Sequence, residues 1–83
     1  MYFQANIKTL NGNYENNNCI IVLATPDTIE SRLDVICKDW YTGFDFEDDD
    51  GYWFDNGSCV SAGSYKLVSA ETVKDISPML TSF

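Results

Sequence analysis

The window Gly43-Phe44-Asp45-Phe46-Glu47-Asp48-Asp49-Asp50-Gly51-Tyr52-Trp53-Phe54-Asp55 constrains the fold of this chain more than any other stretch. Phe44 and Phe46 alternate with Asp45 and Glu47, the period of a strand with one face buried. Asp50-Gly51 is a turn signal, and Tyr52-Trp53-Phe54 can run back antiparallel beyond it. The spacing predicts a β-hairpin with an aromatic inner side and a strongly negative tip.

The segments on either side supply what such a hairpin needs to pack against. From Tyr2 to Leu10, Phe3, Ala5 and Ile7 alternate with Gln4, Asn6 and Lys8, which predicts a strand with one wet face. Asn11-Gly12 opens a polar run through Asn13, Glu15, Asn16, Asn17 and Asn18 that reads as a connection. Cys19-Ile20-Ile21-Val22-Leu23-Ala24 is an unbroken, largely β-branched run, expected to be a central strand buried on both faces. Thr25-Pro26-Asp27 then marks a helix start: Thr25 can cap, Pro26 suits the first position, and Asp27 favours the positive end of the dipole. Ile29, Leu33, Ile36, Cys37 and Trp40 recur at helical spacing, so a helix is predicted over 26–41 with Gly43 as terminator. After the hairpin, Asp55-Asn56-Gly57-Ser58 is a second turn, and 59–68 is a strand bent or bulged at Gly63. Ser69-Ala70-Glu71-Thr72 resembles a cap leading into a short helix with Val73 and Ile76. Pro78 should end that helix, and Met79, Leu80 and Phe83 should return to the core. The prediction is a single α+β domain over 1–83: an antiparallel sheet of four or five strands, one main helix across one face, in the order β-β-α-β-β-β-α.

At 83 residues the chain is near the lower end of what folds unaided, and a domain of that size buries only roughly 60–65% of its unfolded surface. Its hydrophobic fraction of 45% is ample for a core, so disorder is not expected. The net charge of −8 repels nucleic acid and anionic membranes, which excludes direct binding to either. Cys19, Cys37 and Cys59 are three, widely spaced, and form no CxxC; with no histidine present, a zinc site is not expected. Each sits among apolar residues and is expected as a reduced thiol. No charged leader precedes an apolar run at the N-terminus, so a cytoplasmic location is expected. Asn56-Gly57-Ser58 matches a glycosylation acceptor but reads as a turn in that setting.

Catalytic signatures are missing together. Without histidine the commonest general base and the usual triads are gone, and no GxSxG, SxxK, phosphate-binding glycine loop or HExxH occurs. An enzyme is therefore not expected, and no cofactor is implied. The acidic turn superficially resembles a calcium loop. Yet setting Gly51 at the invariant sixth position puts Phe46 where the first carboxylate belongs and Gly57 where the twelfth position needs Glu. The motif fails.

What remains is a surface. Asp45, Glu47, Asp48, Asp49, Asp50 and Asp55, with Asp27, Glu30 and Asp34 along one side of the helix, could copy a track of phosphates at strand spacing. Tyr52 and Trp53 are candidate aromatic anchors inside that charged rim. The complement is a basic protein surface, such as that of a nucleic-acid-binding complex. A solvated helix face and a wet hairpin tip account for the same charges without any partner. Two further readings are a regulatory or virion component, or an immunity protein, binding through apolar surface, and a small metal-binding or hydrolytic domain.

In length, charge, missing catalytic motifs and the Asp45–Asp55 cluster, the chain resembles small acidic phage-encoded inhibitors, including anti-CRISPR proteins and DNA mimics. The resemblance is of profile and not of motif. It implies stoichiometric inhibition of a host defence complex inside a bacterial cell, without chemistry.

Overall fold

The computed structural model describes residues 1–76 and 81–82. The elements are β1 (Tyr2–Asn11), β2 (Tyr14–Leu23), α1 (Ile29–Lys38), β3 (Phe44–Asp48), β4 (Gly51–Phe54), β5 (Ser58–Val68), α2 (Ala70–Ile76) and β6 (Thr81–Ser82). The first seven follow the predicted order, and β6 adds a two-residue strand after them. The sheet runs β3-β4-β5-β1-β2-β6; its first five strands are antiparallel neighbours, and β6 lies parallel to β2 at Ile20 and Ile21. The helix end expected at Pro78 and the return of Met79, Leu80 and Phe83 lie outside the described residues.

β1 occupies the centre, hydrogen-bonded to β2 on one side and β5 on the other. Its alternation is the reason: Phe3, Ala5, Ile7 and Thr9 are buried beneath the helix while the residues between them are more open. The 19–24 run was the expected centre, but it lies in β2, one strand further out. Ile20, Ile21 and Val22 are buried there, whereas Leu23 is exposed.

The asparagine run is also strand, not connection. Only Gly12 and Asn13 separate β1 from β2, and Asn11 pairs with Tyr14. Cross-strand polar contacts hold this half of the hairpin: Lys8 to Glu15 at 2.9 Å, Asn6 Nδ2 to Asn17 Oδ1 at 3.2 Å, and Asn18 Nδ2 to the Ile7 carbonyl at 3.2 Å. Such pairs override the weak strand propensity of asparagine.

Helix α1 starts later than predicted. The Thr25 carbonyl accepts the backbone N–H groups of both Thr28 and Ile29, while Thr28 Oγ1 accepts from Thr25 N at 3.0 Å. Pro26, Asp27 and Thr28 therefore form a turn, and Thr28 rather than Thr25 occupies the cap position. The helix ends at Lys38, before Tyr41, although Trp40 and Tyr41 still pack on the core. Ile29, Leu33, Ile36 and Cys37 face Phe3, Ala5, Ile7, Ile20, Val22, Tyr52, Phe54 and Val60. Burial of each large side chain here is worth roughly 1.5–3 kcal/mol. Ser69 caps α2 as expected, its Oγ accepting from Thr72 N at 3.2 Å.

Candidate functional site

The β3–β4 hairpin forms one end of the sheet, and β3 is its edge. Glu47 pairs with Tyr52 and Asp48 with Gly51, leaving Asp49 and Asp50 as the two-residue turn. Two glycines make the attachment. At Gly43 (φ +85°) the chain passes so close to the Asp55 carboxylate that a Cβ would collide with it, and the Gly43 carbonyl accepts Asp55 N at 2.9 Å. At Gly51 (φ +141°) a Cβ would stand 2.5 Å from the Val60 carbonyl, so only glycine lets β4 close on β5 there.

The register of β3 departs from the predicted alternation. A bulge between Phe44 and Phe46 puts Asp45 out of step with β4. Phe44 consequently lies on the helix side, against Tyr52 (ring centroids 6.1 Å apart) and Phe54 (6.0 Å). Phe46 turns to the opposite side and stacks on Trp53, with centroids 6.2 Å apart and planes at 17°. Every residue of β3 is exposed, including Phe44 at 40% and Phe46 at 50%. The predicted half-buried strand is thus an edge with an aromatic on each face.

The expected acidic residues divide accordingly, and they do not form one evenly spaced track. Glu47 and Asp34 converge on the helix side at Tyr52, whose hydroxyl donates to Asp34 Oδ1 at 2.7 Å. Burial first, then the Asp34 hydrogen bond and charge, with Glu47 adding, hold that hydroxyl well above the usual tyrosine range. Tyr52 is itself buried, so it belongs to the core and is not a surface anchor. Glu30, one helical turn before Asp34, accepts from the Tyr65 hydroxyl at 3.2 Å. Asp27 stands beyond Glu30 in the turn before α1. Asp34 is engaged by Tyr52, while Lys38, one helical turn on, sets its Nζ 5.3 Å from the centre of the Phe44 ring.

On the other side, Asp48 Oδ1 accepts Trp53 Nε1 and Asp50 N, both at 2.9 Å. Trp53 is half-buried, held between that carboxylate and the Phe46 ring. A depression of about 250 Å³ beside it is lined by Lys8, Leu10, Asp50, Trp53, Cys59 and Ser61. Burial, then the charges of Asp48 and Asp50, push the Cys59 thiol up, against an opposing effect of Lys8. Asp45, Asp49 and Asp55 are exposed. The carboxylates therefore wrap around the sheet edge from the helix side to the open side.

Phe46 is the member of this surface that sequence reasoning missed as an anchor. Nothing in Asp45 marks a bulge, and without the bulge both phenylalanines fall on one side. Cys19, Cys37 and Cys59 are free thiols; Cys37 and Cys59 are buried, and Cys19 is partly open. Among the described residues no group of three or more His, Cys, Asp or Glu is placed to hold a metal, and no helix is long and apolar enough to cross a membrane. No protein-family model matches the chain, and no curated protein or solved structure is significantly similar to it.

Proposed function

We propose that this protein is a non-enzymatic, acidic interaction module that occupies a basic surface of a nucleic-acid-binding complex and so inhibits it stoichiometrically, in the manner of anti-CRISPR-type and DNA-mimic inhibitors. The observation that carries the reading is the concentration of Asp45, Glu47, Asp48, Asp49, Asp50 and Asp55 on the edge and turns of one hairpin, all exposed and joined by Asp34 on the helix side. A domain of charge −8 spends self-repulsion to keep such a cluster together. Lysines and arginines that normally hold phosphates would meet it with complementary charge, giving fast association and strong salt dependence. Trp53 and Phe46 supply the apolar contact that a purely charged surface lacks.

The test is a pull-down from nuclease-treated bacterial lysate, repeated with added DNA or RNA. The expected result is a nucleic-acid-binding protein that the added nucleic acid displaces. A partner whose capture is indifferent to nucleic acid and to salt would contradict the reading. Such an outcome favours binding through apolar surface, as in a regulatory or virion component or an immunity protein, for which the exposed Tyr14, Leu23 and Leu67 are the supporting observation.

A further inference from the structure

We infer that β3 receives an extended, lysine- or arginine-rich segment of the partner as an added strand; the inference rests on the acidic-docking reading and names how its partner engages. β3 ends the sheet, and among the described residues no strand lies across from its outer side. Alternate residues of an edge strand direct N–H and C=O groups outward, a template for another strand. The opposite edge differs, since β6 pairs there with Ile20 and Ile21.

Charge selects the occupant. A second copy pairing antiparallel about Phe46 would set Asp45 against Glu47 on both sides, and like charges directly opposite are destabilising. A basic strand puts lysine or arginine opposite those same carboxylates, and opposite charges facing each other across a strand pair are stabilising. Acidic residues that guard an edge against self-association leave it open to a strand of opposite charge. The aromatics fit the same guest. Lys38 already places its ammonium over the Phe44 ring, and the stacked Phe46–Trp53 pair offers an equivalent face to an incoming cation on the other side. A merely wet edge has no use for phenylalanines left 40% and 50% exposed.

The probe is a synthetic peptide of alternating lysine and valine, long enough to span the five residues of β3. It is compared with the same peptide N-methylated at every backbone nitrogen, which keeps the charge and removes the donors. Both are titrated into the isotope-labelled full chain while amide exchange is followed. The expected result is slowed exchange at β3 amides with the unmodified peptide, and binding weakened at least about tenfold by N-methylation. Equal affinity of the two peptides, with loss of both in the E47K/D48K/D49K/D50K variant, overturns strand addition and leaves acidic docking standing. Undiminished binding in that variant overturns both. β3 protection that appears without peptide and grows with protein concentration overturns the choice of a basic guest in favour of self-association.

Discussion

Ile7, Val22 and Val60 at the middle of the sheet are inaccessible to solvent, whereas every residue of β3 at its edge is exposed. The two regions share one sheet and one rich supply of apolar and aromatic residues. In the middle, strict alternation on β1 aims one set of side chains at the apolar stripe of α1. At the edge, one bulge at Asp45 sends Phe44 and Phe46 to opposite sides, and carboxylates fill the positions around them. The first arrangement stabilises the domain. The second contributes little to stability and leaves charge and aromatic surface available for contact. Tyr52 marks the boundary: its ring belongs to the core, while its hydroxyl holds Asp34 at the margin of the acidic surface.

Substitutions in the two regions should therefore differ in size. Ile7→Ala, which removes the most central side chain, should cost on the order of 3 kcal/mol in a denaturant titration. A loss under about 1 kcal/mol would mean that the centre is not the stabilising region.

The next effect is pH-dependent. Burial, then the charge of Asp34, push the Cys37 thiol up from 9.0 to about 11. Below pH 9 the thiol is protonated in both folded and unfolded chains, and its contribution is fully present. Between pH 9 and 11 the unfolded chain loses the proton first, so stability falls as pH rises, by on the order of 2 kcal/mol. Denaturant midpoints at pH 8 and pH 11 measure this, and Cys37→Ala, less stable at pH 8, should show a smaller drop. An equal drop in both proteins would place the alkaline sensitivity elsewhere.

Smaller still, Phe46→Ala should cost less than about 1.5 kcal/mol, the scale of one aromatic pair at an exposed site. A larger loss in thermal melts would make the edge part of the core and collapse the distinction between the regions.

The same division explains what was legible in the chain. Alternation in 2–10 and the apolar stripe of Ile29, Leu33, Ile36 and Cys37 are burial patterns, and burial sets the period directly. The Asn56-Gly57 step places a turn because positive φ is a local demand, whereas the turn read at Asp50-Gly51 lies one residue earlier, at Asp49 and Asp50, and Gly51 opens β4. The helix start was misplaced because Thr25 and Thr28 compete for it: a threonine turn captures the backbone groups that Pro26 suggested for the helix. The asparagine strand was hidden because its stabilisation lies in partners on β1, such as Asn6 and Lys8, eleven or fewer residues away but invisible to local propensity. At the candidate site the carboxylates and Trp53 were evident from composition. Which side of the sheet each one faces depends on the bulge at Asp45, and no residue type announces it.

The most direct test is the affinity of the E47K/D48K/D49K/D50K variant for the captured basic partner, measured beside its circular dichroism spectrum and melting curve. Because these side chains are exposed, the fold should persist, although loss of the Asp48 hydrogen bonds to Trp53 and Asp50 should cost on the order of 1 kcal/mol. The account predicts an intact fold and binding lost or weakened by about a hundredfold or more, since several complementary charges become repulsive together. An intact fold with undiminished affinity would contradict it, leaving the acidic edge as a solvated end of the sheet.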